Sequence, residues 1–229
     1  MKYQKVIHVD NLHGWLDERR NSVGASDTLS GRELYQKANV DMSGRVSAFE
    51  YERPDAAATF ESGHAMEQAI LAWWGASTGM PVTPSGWLLR NPEFPWMHAS
   101  LDGWNEGEYA VEAKNPGFTT AYQWLDLKNY KVAEGSTMQS VLVAARKQIM
   151  AATRREDPPR RYWEQCQHQL AVTGYQRAYL VGVIAGQKLV WYEIKRDEKA
   201  IKERIVNCKA FMEKAAKLRE EQRYDSRGI

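Results

Sequence analysis

A mixed α/β (α+β) fold, with a small central sheet flanked by helices, is predicted from three features of this 229-residue sequence. Residues 56–78 carry an apolar stripe at helical spacing. Two pairs of short β-rich runs follow, Trp96–Asp102 with Glu108–Lys114, and Ala178–Ala185 with Leu189–Lys195. The last 30 residues read as a charged amphipathic helix. Alternation of these periods places helices on a sheet.

Taken in order, the opening segment Trp15–Ala38 holds three candidate helix caps. Ser26, Asp27 and Ser30 are each able to cap a helix running toward Leu34 and Tyr35. Across 56–78, Phe60, His64, Glu67, Leu71 and Trp74 recur at spacings of three and four and share a face. Pro81, Pro84, Gly86, Pro92 and Pro95 then punctuate a connection, with Trp87–Arg90 a short strand inside it. Trp96–Asp102 and Glu108–Lys114 look like a hairpin around the turn-rich 103–107. Helices are expected at 118–130, 137–152 and 162–173. A second hairpin follows, turning at Gly186-Gln187, and then the amphipathic helix 197–223, with Ile201, Ile205, Cys208, Met212, Ala215 and Leu218 on one stripe. No repeat or Gly/Ser linker divides the chain, so residues 1–229 read as a single domain.

Composition sets further bounds. The sequence is 43% hydrophobic and 26% charged, as in a folded globular protein. No run approaches the roughly 18 apolar residues of a membrane span, and the N-terminus lacks the apolar core of a secretory signal. No membrane partner and a reducing, cytoplasmic setting are therefore expected. Cys166 and Cys208 are too few and too far apart for a four-cysteine metal centre or a disulfide scaffold. Net charge is only +2, so its distribution matters more. Residues 146–161 hold six basic side chains against two acidic ones. Such a stretch suits a phosphate-rich ligand, or is simply a solvated loop.

The chemistry-bearing cluster is Asp102 with Glu112 and Lys114. Side chains alternate along a strand, so Glu112 and Lys114 share a face and Ala113 points to the other. A hairpin would set Asp102 beside Glu112. Converging carboxylates repel unless a cation lies between them, and an all-oxygen donor set suits Mg²⁺ or Mn²⁺. A lysine beside such an ion can orient a water or stabilise developing charge. The alternative is a set of exposed ion pairs, since D-x9-E-x-K is a short pattern. Glu67 adds a third carboxylate on a face it shares with Phe60, Leu71 and Trp74. Gln165 and Gln169 lie one helical turn apart in WEQCQHQL, either holding waters and phosphate oxygens or forming a polar outer face. His168 has no ligand partner at metal spacing and reads as a packing or hydrogen-bonding residue.

Ordered blocks then carry a resemblance. They are Trp15-Leu-Asp-Glu-Arg19 with Gly24-Ala-Ser26-Asp; Glu61-Ser-Gly63-His-Ala-Met-Glu67; Ser100-Leu-Asp102-Gly; Glu112-Ala-Lys114; and Gln165-Cys-Gln167-His-Gln. Over about residues 15–195 the sequence resembles the PD-(D/E)xK nuclease superfamily, and within it the lambda-exonuclease and YqaJ-type viral recombinases. Leu101 stands where that family has its motif proline, and 131–161 matches poorly.

The resemblance implies a restriction-endonuclease-like core with a mixed sheet. It implies a magnesium-dependent alkaline exonuclease that digests the 5′-ended strand of duplex DNA and leaves 3′ overhangs for phage-type recombination by strand annealing. Asp102, Glu112 and the Ala113 carbonyl are implied as ligands of Mg²⁺ (or Mn²⁺), two ions per site, with Glu67 and Gln165 in support and Lys114 beside the attacking water. Arg19, Ser26 and Ser100 are implied to bind the 5′-phosphate, in keeping with bidentate guanidinium contacts. Phe60 is implied as a wedge between bases, or else as core, and Trp15 as a DNA contact. The implied partners are 5′-phosphorylated duplex ends, a homotrimeric ring and a single-strand annealing protein, in the bacterial host of a phage or prophage. Two other readings compete: an endonuclease of the same superfamily, which needs base-reading elements, and a non-catalytic DNA-binding or annealing accessory, which needs no motif carboxylates.

Overall fold

Helices form where three-and-four apolar spacing is sustained, and strands where it yields to alternation or continuous apolar runs. The computed structural model describes residues 3–38, 54–127 and 137–225, and of positions 12, 54–64 and 222–225 the backbone alone. Its elements are β1 (Gln4–His8), α1 (Leu12–Arg20), α2 (Gly31–Ala38), α3 (Pro54–Thr78), β2 (Thr83–Pro84), β3 (Trp87–Arg90), β4 (His98–Ser100), β5 (Gly103–Asn105) and β6 (Tyr109–Lys114). A 3-10 helix (Phe118–Gln123), α4 (Met138–Ala151), α5 (Arg160–Thr173), β7 (Arg177–Ile184), β8 (Lys188–Lys195) and α6 (Glu198–Asp225) complete them. The fold class is mixed α/β, as the sequence predicts.

The strands form two sheets. One is three-stranded and antiparallel, in the order β1-β3-β4. The other is mixed and five-stranded, in the order β2-β5-β6-β7-β8, with β6 and β7 parallel. A parallel pair needs a long crossover, and here the 3-10 helix, α4 and α5 lie in it. On one face of the larger sheet Val111, Ala113, Tyr179, Val181 and Val183 pack against Ile70, Leu71 and Trp74 of α3. The opposite face carries Ala110, Ala178 and Leu180, which join Cys166 and Leu170 of α5 in the main core. Close approach is enforced at Gly182, where an added Cβ would stand 2.6 Å from the Trp124 ring.

Several expected elements differ. Trp96–Asp102 does not form a hairpin with Glu108–Lys114. β4 pairs with β3 in the smaller sheet, and β5, built from residues expected to be turn, pairs with β6. The reason is that Asp102 sits where the chain passes from one sheet to the other. α2 is the helix expected toward Leu34 and Tyr35, and α1 precedes it. Ser30 and Glu33 bond reciprocally across the start of α2, as in a capping box, whereas Ser26 is exposed and the Asp27 carboxylate accepts from the Gly24 N–H at 2.8 Å. Residues 118–123 are a short 3-10 helix, and 128–130 of the helix expected there lie outside the described residues. β1 was not expected at all. The second hairpin turns at Ala185 and Gly186, both at positive φ (51° and 69°), as a type I′ turn requires.

Candidate active site

Strand alternation sends Glu112 and Lys114 to the α5 face and Ala113 to the α3 face. Glu112 is buried, with only 1% of its surface exposed. Such burial needs partners, and α5 supplies them. Gln165 Nε2 donates to Glu112 Oε1 and Gln169 Nε2 to Oε2, each at 2.5 Å. Two glutamines four apart lie on one helical face, so one helix grips both oxygens. Lys114 pairs with Glu112, and its ammonium lies 5.4 Å from the Tyr162 ring centroid.

Asp102 reaches the same cleft by a different route. The β5–β6 ladder runs from Gly103 opposite Val111 to Asn105 opposite Tyr109. Past its end the Ala113 N–H has no β5 partner, and Asp102 Oδ2 accepts it at 2.7 Å. A strand residue sends its N–H and C=O to the same side, so the Ala113 carbonyl faces the Asp102 edge too. α3 closes over this edge: an added Cβ on Gly103 would stand 2.7 Å from Leu71. Glu67, one turn before Leu71, is close enough to act on Asp102 electrostatically.

These groups perturb one another. Burial pushes the Asp102 carboxyl well above the usual range, and the neighbouring charges of Glu112 and Glu67 add to this, against Lys114 and the Ala113 N–H. For Lys114, burial opposes the charge, but Glu112 and Asp102 outweigh it and raise its pKa. Cys166 lies behind the carboxylates, its thiol pushed up first by burial and then by Glu112. Among the described residues, no three His, Cys, Asp or Glu side chains stand close enough to enclose a metal by themselves. The donors brought near one another are Asp102 at the edge of β6, the Ala113 carbonyl turned to that edge, and Glu112 on the α5 face within electrostatic range of Asp102. All are oxygens, and they suit a hard divalent ion whose remaining positions are filled by water or phosphate.

The other implied residues lie on the α1 and β4 side. The Arg19 guanidinium stacks 4.4 Å from the ring centroid of Trp15, which is itself buried, so Trp15 supports Arg19 from beneath rather than presenting a surface ring. Ser26 is exposed on the loop between α1 and α2. Ser100 ends β4, with its Oγ buried and lacking a partner in the structure. The side chain of Phe60 lies outside the described residues. Residues 131–136 lie outside them too, while 137–161 are described, with Arg154 donating to the Trp191 carbonyl at 2.5 Å and stacking on Tyr192.

Gln169, one helical turn from Gln165, joins the site in the structure although the resemblance implies only Gln165 there. It is fully buried, with Oε1 unpartnered. Its i, i+4 spacing from Gln165 was the available signal. Reasoning from sequence left out the imidazole pair at the far side of β4. Ser22 Oγ lies 2.8 Å from His98 Nδ1, and the His98 carbonyl 2.9 Å from His168 Nε2. The role expected for His168, hydrogen bonding rather than metal binding, matches this geometry.

The profile of the YqaJ-like viral recombinase domain matches residues 14–176, from α1 to the edge of β7. The chain belongs to that family. Among curated proteins, this YqaJ-like chain is 28% identical over 195 residues to the uncharacterized protein YqaJ of Bacillus subtilis (strain 168). The match takes in 82% of this chain but 51% of that protein, so the chain spans about half the length of the curated relative it matches. Among solved structures, it shares its fold with the alkaline exonuclease LHK-Exo of Laribacter hongkongensis. The TM-score is 0.60 at 21% identity, over 94% of this chain and 96% of that one. The same enzyme in complex with dAMP matches equally well, with a TM-score of 0.60. Among the described residues, no helix of the YqaJ-like chain is long and apolar enough to cross a membrane.

Proposed function

We propose that this YqaJ-like chain is a Mg²⁺-dependent exonuclease that digests duplex DNA from 5′ to 3′ and leaves 3′ single-stranded overhangs for recombination by strand annealing. The observation that carries the reading is the cleft itself. Asp102 and the Ala113 carbonyl face the edge of β6, Glu112 stands within electrostatic range on the α5 face, a lysine pairs with it and glutamines clamp it. Family membership and a fold shared with an alkaline exonuclease support it. The dAMP complex of that enzyme shows its fold taking a nucleotide.

In this reading Asp102, Glu112 and the Ala113 carbonyl hold Mg²⁺ or Mn²⁺, two ions per site, with Glu67 in support. The ions supply polarisation of the scissile phosphate and acidification of a bound water. Gln165 and Gln169 keep Glu112 in one orientation, and a ligand held still binds better. Lys114, cationic across the working range, orients the attacking water and offsets charge developing on the phosphoryl oxygens. Arg19, Ser26 and Ser100 take the terminal 5′-phosphate and so fix direction, and Phe60 separates the last base pair. Assembly as a ring-shaped homotrimer, an annealing protein as partner and work in the cytoplasm of a phage-infected or prophage-carrying bacterium complete the reading.

A linear duplex labelled at each end in turn, with Mg²⁺ or with EDTA, tests it. Release of 5′ label only, and only with metal, is expected. Internal cuts would favour an endonuclease. Binding without cleavage at any metal concentration would overturn catalysis.

A further inference from the structure

Arg204 stands on α6, far in sequence from both segments that carry the phosphate-binding serines, yet it is tied to each. Its Nη2 donates to the Asp27 carbonyl at 2.7 Å and to the Gly24 carbonyl at 3.3 Å, on either side of Ser26. Its Nε donates to His168 Nδ1 at 3.1 Å, and the opposite ring nitrogen meets the His98 carbonyl at 2.9 Å, two residues before Ser100. A guanidinium only donates and a carbonyl only accepts, so His168 is fixed as the neutral Nε2–H tautomer.

Lys37 of α2 closes the same loop. Its Nζ donates to the Arg19 and Ser22 carbonyls at 2.6 and 2.7 Å and pairs with Asp27 at 2.9 Å. The loop has one bridge to the β4 side, at Val23, whose N–H donates to the Trp96 carbonyl at 2.8 Å and whose carbonyl accepts from the His98 N–H at 2.9 Å. Beyond Val23, around Ser26, it keeps its shape through side-chain contacts such as these. α6 itself is already anchored by Ile201, Cys208 and Ala215, and by Arg219 on the Lys37 and Ala38 carbonyls. The Arg204 fork is therefore better placed to shape the loop than to hold the helix.

We propose that Arg204 is a positioning residue for end recognition: through His168 it fixes the Ser26 loop against the Ser100 strand and thereby sets how tightly a terminal phosphate is held. The proposal rests on the reading of Arg19, Ser26 and Ser100 as the 5′-phosphate pocket.

The test uses the full chain and two duplexes that differ only in carrying a 5′-phosphate or a 5′-hydroxyl. In Arg204→Gln, KM for phosphorylated ends rises about tenfold, the size expected for one lost charged hydrogen bond. Its kcat and its rate on hydroxyl ends stay unchanged. Arg204→Lys keeps the charge but not the fork, and gives a smaller rise. A merely structural role lowers both substrates equally, and that result, or an unchanged phosphate preference, overturns the proposal. Circular dichroism reports folding. If Arg204→Gln does not fold, Arg204→Lys decides by the same ratio. Arg19→Ala separates the two readings. If it keeps the phosphate preference, the pocket itself falls. If it loses the preference while Arg204→Gln keeps it, only the role of Arg204 falls.

Discussion

Two polar clusters flank β4 and the start of β5, and they are built from opposite charges. On the cleft side, Asp102 and Glu112 lie together with Glu67 in electrostatic range, and Lys114 is the cation paired to Glu112. On the other side, Arg19, Lys37, Arg90 and Arg204 surround two imidazoles, His98 and His168. There Lys37 pairs with Asp27, Arg90 with Glu18 at 2.8 Å, and both rings are held neutral by burial and by the surrounding cations. The basic cluster has its charges met by Asp27 and Glu18, although His98 Nε2 and Arg90 Nε are buried without a partner among the described residues. The acidic one holds a carboxylate, Asp102, that its own neighbours disfavour ionising. Unfavourable electrostatics persist in a fold where a ligand resolves them, so perturbed groups in a cleft mark function. The comparison separates a site that needs a cation from a basic cluster whose charges are already met by its own acidic partners and carbonyls. Substitutions in the first should cost turnover; in the second they should cost stability or, at Arg19 and Arg204, the preference for phosphorylated ends.

The largest expected break of that contrast is at the carboxylates. Asp102→Ala and Glu112→Ala should each lower DNA hydrolysis by about a thousandfold or more, as loss of charge-stabilising groups does, while a mobility-shift assay shows duplex binding retained. Asp102→Asn should also raise the thermal midpoint of the metal-free protein, because a repulsive carboxyl is removed. Near-normal turnover in either alanine variant would take that residue out of the site. Next comes Gln169→Leu. It removes one hydrogen bond to Glu112 and should cost about 10–100-fold in turnover or metal affinity, the usual range for a group that orients a ligand; steady-state kinetics over a Mg²⁺ series would show it.

In the basic cluster, His168→Ala strands the Arg204 Nε–H and the His98 carbonyl. Urea unfolding should show a loss of about 2–4 kcal/mol. Acid sensitivity is the smallest effect per pH unit. Burial and then the nearby Arg204 lower the His168 pKa to about 3 from an ordinary 6.5. Between those values the unfolded chain binds a proton that the folded one does not. Stability from this group is therefore complete above pH 6.5 and declines as pH falls, by about 1.4 kcal/mol per pH unit for one proton. Because the raised Asp102 carboxyl contributes the opposite slope, the readout is the gap in urea midpoint between the parent and His168→Ala from pH 7 to pH 4; a gap that does not change with pH would contradict a neutral buried ring.

The sequence made the elements legible where pattern is local. The α3 stripe, the Trp87–Arg90 strand and the apolar β7 run are visible in the residues, as is the shared face of Glu112 and Lys114. What it hid is long-range. A hairpin from Asp102 to Glu112 is the simplest local solution, but pairing of β4 with β3 and of β5 with β6 depends on strand partners that spacing does not encode. β1 escaped notice because a five-residue strand with mixed polarity carries little periodicity. Gln169 was visible as a neighbour of Gln165, but its grip on Glu112 depends on how α5 crosses β6. The link from Arg204 to His168 joins residues 36 apart and from Arg204 to Asp27 residues 177 apart, beyond any local signal.

The central claim, that these carboxylates exist to gather divalent cations, is tested most directly by calorimetric titration of Mn²⁺ into the DNA-free protein, its Asp102→Asn variant and its Glu112→Gln variant. The account predicts saturable binding in the parent, weakened by at least about tenfold in each variant, or about 1.4 kcal/mol. Equal Mn²⁺ affinity in all three, or none in the parent at millimolar ion, would contradict it.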